Sequence, residues 1–310
     1  GLVRPEDVLS ASATSAERAI AGALNYRIPY DRSPDGKKTY QVEFTAASGR
    51  DEHFRVGSIS ATPFEHRFQN GGVEHEYKIE SNRWTFTMRN AVLWDSHDLA
   101  QPGAFGRHRD GGLLLRHRQS WTTSAQAGPS AIHWETALEP GATFAPAVGW
   151  EREFWQAELI ARTKASWGGT ETTPPPMYLN LQAAAGGGSV GTPAARLYRM
   201  GDTNRLFGLE SGEFSGRSYL HGEIAYGVRV SHLLRGLFKT NGKPDPAAAP
   251  PLLQGLFVQT FGQAGRAGSN GRTLFSYGLA LEMGGSDAAG GAGFRLGYAW
   301  SPQSRVAAGR

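Results

Sequence analysis

The sequence predicts an all-β protein, a transmembrane antiparallel β-barrel of about 14–16 strands with a short N-terminal helix or tail. Three observations predict it. Segment after segment alternates apolar and polar residues with a period of two, one face apolar and the other charged. The apolar rows end in Trp or Tyr, as at Trp84 and Trp94, which is where aromatic girdles meet a membrane surface. The 41 Gly and 17 Pro are spread along the 310 residues, which favours many short elements joined by turns.

The bulk composition narrows the class. No run approaches the ~20 apolar residues of a membrane helix. The mean hydropathy of −0.41 is compatible with a barrel, because half of each barrel strand faces water. The net charge of +4, from 32 basic and 28 acidic residues, is too small and too dispersed for a nucleic-acid footprint. Without cysteine there is neither a disulfide framework nor a thiolate metal site.

Residues 1–20 read as a lead-in segment. Pro5 followed by Glu6 and Asp7, with no glycine until Gly22, gives PEDVLSASATSAERAI the only helix signal near the start. From 21 to 301 the chain reads as the barrel, and 302–310 as a tail without strand character. Leu24, Tyr26, Ile28 and Tyr30 oppose Asn25 and Arg27; Pro34-Asp35-Gly36 then turns the chain. Tyr40, Val42 and Phe44 oppose Gln41 and Glu43. SGRDEH at 48–53 reads as a polar break and Asn70-Gly71-Gly72 as a hairpin. Val73, Tyr77 and Ile79 oppose Glu74, Glu76, Lys78 and Glu80. Trp84, Phe86, Met88, Val92 and Trp94 oppose Thr85, Thr87 and Arg89. Residues 95–112 read as a long polar loop. Strands follow at Leu113–Trp121, around Trp134, from Trp155 and from Leu179. Residues 205–216 form a glycine-punctuated loop feeding a strand in which Leu220, Ile224, Tyr226, Val228 and Val230 oppose His221, Glu223 and Arg229. A strand near 232–239, an exposed loop at 240–251 and three last strands complete the chain.

The last hundred residues resemble the barrel part of the superfamily containing BamA and the two-partner-secretion transporters such as FhaC. LFGLESGEFSGRSYLHGEIAYGVRV is similar to that family's signature loop and following strand. Phe261-Gly262-Gln263-Ala264-Gly265 is similar to its F-x-D-x-G segment, and SYGL at 276–279 with FRLGYA at 294–299 to its closing strands. The resemblance implies a lumen loop built from Arg205, Phe207, Gly208, Glu210, Gly212, Phe214 and Gly216. It also implies a facing wall at Phe261, Gln263 and Gly265, and assistance to protein insertion or translocation. Phe207 stands where the family has its loop arginine, and Gln263 where it has the acidic partner. Losing both charges together avoids leaving one uncompensated in a partly buried site.

The expected location is the bacterial outer membrane. The expected partners are the lipid bilayer and a polypeptide client or envelope-complex subunits, with no nucleic acid and no cofactor. A porin-like channel or structural barrel subunit is the alternative, and a soluble β-rich module a third. The run Arg107-His108-Arg109-Asp110 reads as a solvated loop. His53, His66 and His75 lie near acids but lack a ligand spacing on one element, so no metal site is expected. Ser58 or Ser218 with His75 or His221 is the conceivable hydrolytic pairing, but no G-x-S-x-G elbow accompanies it, so no enzyme is expected.

Overall fold

The computed structural model describes residues 7–16, 19–54, 64–100, 107–127, 132–169, 175–200, 206, 214–240, 242–268, 272–283 and 294–302. Nine strands run in sequence as an antiparallel meander: β1 (Val8–Ala16), β2 (Ala19–Arg32), β3 (Lys38–Phe54), β4 (Phe64–Glu80), β5 (Trp84–Ala100), β6 (Arg107–Ala127), β7 (Ile132–Ala145), β8 (Phe154–Trp167) and β9 (Met177–Gly188). The small pair β10 (Tyr198–Met200) and β11 (Phe214–Gly216) stands apart from this sheet. β12 (Ser218–Arg229) rejoins it directly beside β9. A second excursion holds α1 (Val230–Leu233), β13 (Lys239–Thr240), β14 (Lys243–Pro244) and α2 (Pro251–Gly255). β15 (Leu256–Ala267), β16 (Leu274–Met283) and β17 (Phe294–Trp300) then complete a sheet of thirteen strands among the described residues. Every neighbouring pair in it is antiparallel, so an odd count leaves β1 and β17 running the same way.

The alternation read from the sequence sorts as expected. Leu220, Ile224 and Tyr226 face outward and exposed, while His221 on the same strand is fully buried inward. Along β5 the outward row runs from Trp84 to Trp94, and along β8 from Trp155 to Trp167. At ~3.4 Å per residue and a tilt of ~40°, those separations span roughly 26–31 Å, the height of a bilayer's apolar core. Tyr40 stacks on Tyr77 with ring centroids 4.8 Å apart, and Tyr277 on Trp300 at 5.3 Å, one pair near each rim.

Several local expectations are corrected. Residues 8–16 form the edge strand β1, paired with β2 from Val8↔Arg27 to Ala16↔Ala19, and not a helix or tail. The stretch is rich in Ser, Thr and Ala, so its helix preference is weak, and the ladder offered by β2 overrides it. The polar stretches 48–53 and 95–100 lie inside β3 and β5, and 107–112 opens β6. Hydrogen bonding continues beyond the apolar band, where neither face has to be apolar. Asn70-Gly71-Gly72 lies within β4, paired on both sides, and is no turn. A Cβ on Gly72 would stand 2.2 Å from the Val92 carbonyl oxygen, so close strand approach explains this glycine. Where a strand was expected near 232–239, residues 230–237 form short helical turns and only Lys239 is strand, opening β13. Arg229 ties their start, donating to the Gln254 and Pro175 carbonyls and lying over the Phe257 ring.

The turn at 33–37 is as read. The Ser33 hydroxyl and the Lys37 backbone N–H donate to Asp35 Oδ1, while Gly36 takes φ 69°. The Ser33 bond, then the Lys37 bond, hold the Asp35 carboxyl below its usual value of 3.8. A depressed folded pKa stabilises above the unfolded value and is lost as pH falls through the folded one. Acid titration followed by gel mobility should therefore show Asp35→Asn narrowing its stability gap from the parent below about pH 4. Gly72→Ala should destabilise the sheet by about 1–3 kcal/mol, measured as a shift of the urea midpoint.

Candidate functional site

Among the described residues, connecting segments pack against the inner wall toward one end, and paired charges line the lumen below them. The connections after β7 and β9 lie at that end, here the upper rim. The 33–37 turn and the 230–255 excursion lie at the lower rim.

The connection from β9 to β12 folds onto the inner wall. The Ser189 backbone N–H donates to the Trp155 carbonyl, the Trp155 N–H donates to the Ser189 hydroxyl, and the Gln156 amide donates to the Arg196 carbonyl at 2.6 Å. Arg196 reaches Asp95 at 3.3 Å, and the Tyr198 hydroxyl donates to the Ala157 carbonyl at 2.8 Å. Met200, the end of β10, and Leu206, between β10 and β11, join an apolar cluster with Ala184, Tyr219, Ala267 and Leu274. Met200 and Leu206 are both fully buried. Leu206 adopts φ 58°, the left-handed region disfavoured by a Cβ, and is the only such non-glycine residue among those described. Burial of its side chain offsets that local cost.

The wall accepts this wedge because Gly265 has no side chain. A Cβ there would lie 3.1 Å from Leu206 Cδ1 and 3.3 Å from Met200 Sδ. Gly216 shows the same need at the loop's exit, where a Cβ would stand 2.4 Å from the Gly268 nitrogen. The three wall residues expected from sequence all point inward. Phe261 packs with Ala225 and Ala280, and the Gln263 amide donates to Glu223 Oε2 at 2.8 Å. Where a loop arginine and a wall acid were the family expectation, an apolar wedge sits on glycine. Arg205, Phe207, Gly208, Glu210 and Gly212 lie outside the described residues; Phe214 and Gly216 are the ends of β11.

A second plug element comes from the connection after β7. Trp150 is buried with Leu114, Ala145 and Phe154, and its indole N–H donates to the Leu113 carbonyl at 2.9 Å. Beside it runs a buried polar relay. His97 Nε2 lies 2.8 Å from Asp95 Oδ2, and His97 Nδ1 lies 2.9 Å from His66 Nε2.

Below the plug, the lumen is lined by paired charges. Arg116 donates to Glu74 at 2.7 Å, Arg89 to Glu76 at 2.5 Å and Arg27 to Glu43 at 2.9 Å. Arg27, Glu76 and Arg89 line a cavity of 690 Å³ together with Lys78, Arg118 and Glu158. Tyr219 links the two zones by donating to Glu158.

No protein-family model and no curated protein matches the chain. Among solved structures it is similar to BamA from Haemophilus ducreyi lacking POTRA domains 1–3, with a TM-score of 0.57 and 10% identity. That match covers 96% of this chain and 61% of the other, so this chain spans about three fifths of that structure's length. The chain has the fold of an outer-membrane β-barrel. A match to OccAB1 from Acinetobacter baumannii has a TM-score of 0.40 and 10% identity, covering 96% and 89% of the two chains.

The inward face also disposes of two sequence candidates. His66 points into the barrel and His75 out of it, so they cannot share an ion. Ser218 and His221 are three residues apart on β12 and fall on opposite faces, so they cannot form a hydrolytic pair. Leu206, Met200 and the Asp95–His97–His66 relay were not singled out as a site by sequence. Nothing distinguishes one leucine in a glycine-rich loop until its seat is known.

Leu206→Ala should weaken loop docking by about 2–5 kcal/mol. Gly265→Val should unseat the wedge while leaving the barrel ladder paired. Both should accelerate tryptic cleavage after Arg205, read by mass spectrometry, and unaltered cleavage would remove the wedge from the account.

Proposed function

We propose that this protein resides in the bacterial outer membrane and assists insertion or translocation of polypeptides, without catalysis and without a cofactor. The observation that carries this reading is the loop seated on the inner wall, with Leu206 buried against Gly265. A barrel serving as a permanently open pore has no use for an apolar wedge in its lumen. A loop held by one buried leucine and a few hydrogen bonds can be displaced by a client chain at moderate cost. The edges of the sheet support the same reading. β1 and β17 are not paired with each other among the described residues, and parallel edges cannot be joined by an antiparallel ladder. An edge with unpaired N–H and C=O groups is a template for an incoming strand.

The reading extends the family resemblance in the last hundred residues, in which Phe207 and Gln263 replace the expected charged lock. The wedge would take over that lock's task, and a glycine at 265 would be its counterpart on the wall.

A porin-like channel is the second reading. It is favoured by the charge-paired cavity of 690 Å³, whose acids and bases stay hydrated and offer counter-charges to small solutes. Planar-bilayer recording separates the two. The intact protein should give small or intermittent conductance, and deletion of 207–216 should open a large, stable one. An intact protein already conducting steadily, with no change on deletion, would favour the channel and sink the plug.

A further inference from the structure

The outward face of β4–β6 carries a row of polar side chains within the apolar band. His75, Asn90 and His117 are direct cross-strand partners, forming one polar row across three strands. Asn90 lies between Trp84 and Trp94 on β5, hence inside the band and not at a girdle. Val73, Val92 and Leu115 form the next outward row toward the upper rim.

Part of this row is satisfied within the chain. His117 Nδ1 lies 2.7 Å from Asn90 Oδ1, and Gln119 Nε2 lies 2.9 Å from His117 Nε2. His75 Nε2 meets the Tyr30 hydroxyl at 2.6 Å. The remaining groups find nothing among the described residues: the free end of the Asn90 amide, whichever way it is turned, and His75 Nδ1. Acyl chains offer no hydrogen bond, so lipid leaves both unsatisfied at mid-depth.

The same place is concave. A groove of 660 Å³ continues this row from His75, Asn90 and His117 onto a floor of Ala142 and Ala157, beneath the outward row of Val73, Val92, Leu115, Phe144 and Trp155. Small residues on such a floor allow another backbone to approach closely.

We propose that a second copy of this chain, not lipid, covers this face, with Asn90 of each copy near the two-fold axis. The chemistry chooses the occupant. A primary amide carries both donor and acceptor, so two facing asparagines complete each other's hydrogen bonds by symmetry. Both copies keep the same orientation when the axis lies along the membrane normal, so Asn90 meets its counterpart at equal depth. Val92, the next outward residue on the same strand, then lies beside its counterpart close to the axis. This pairing rests on the membrane-spanning fold and is independent of what the lumen loop admits.

The natural absence of cysteine makes the test direct. Val92→Cys retains the polar row and places one thiol beside it; Leu279→Cys, on the exposed outer face of β16, is the control. Oxidation in native membranes should yield a covalent dimer of the full-length protein for Val92→Cys and none for Leu279→Cys. Adding Asn90→Leu should lower the dimer yield by about tenfold, the loss expected of one intramembrane hydrogen-bonded pair. Heat-modifiable gel mobility of that variant shows that the barrel still folds. A monomer from Val92→Cys, a disulfide to a different polypeptide, or a yield unchanged by Asn90→Leu would each overturn the pairing.

Discussion

Within a bilayer there is no water to satisfy a backbone N–H or C=O, so each must find a partner in protein. That requirement organises nearly everything else in this chain. It explains why the strands run uninterrupted across the apolar band; in β3 and β6 the ladder then continues past it through polar stretches. It explains why Gly72 sits in a ladder and not in a turn, because strand pairing outranks local turn chemistry there. It also makes the two edges of the sheet consequential. Interior strands are satisfied on both sides, whereas β1 and β17 each present one unpaired side among the described residues.

The lumen obeys the opposite solvent. Facing water, Glu43, Glu74 and Glu76 pair with Arg27, Arg89 and Arg116, and these half-buried pairs organise the wall more than they stabilise it. The upper end is then dried by Trp150, Phe154, Met200 and Leu206, each supplied by a connection and not by a barrel strand, save Phe154 and Met200 at strand ends. A left-handed leucine on a glycine seat stores local strain against burial energy. Such a joint suits the displaceable loop of the proposed function.

Legibility differed sharply between wall and plug. The faces of β2–β5, β12 and β16 could be read residue by residue, because a period of two leaves one answer for each side chain. The wall positions Phe261, Gln263 and Gly265 came from the family resemblance, and they fall on the inward face of β15. Strand ends were not legible: past the girdles both faces are polar, so 48–53 and 95–112 looked like loops. The seat of Leu206 was also invisible, since the residues that bury it come from β9, β10, β12, β15 and β16. The His75–Asn90–His117 row was hidden in plain alternation, for its three members meet only once registers are known.

The sequence by itself determined the fold class, the sidedness of the strands and the apolar height of the band. Those are properties of single strands, written in the repeat of one residue after another. Only the tertiary structure decided that residues 8–16 pair as an edge strand, that Leu206 fills the space above Gly265, and that three polar side chains line up on the lipid face. These depend on register and on loop trajectory, which are settled by contacts between residues far apart in the chain. Local preference carries no record of them.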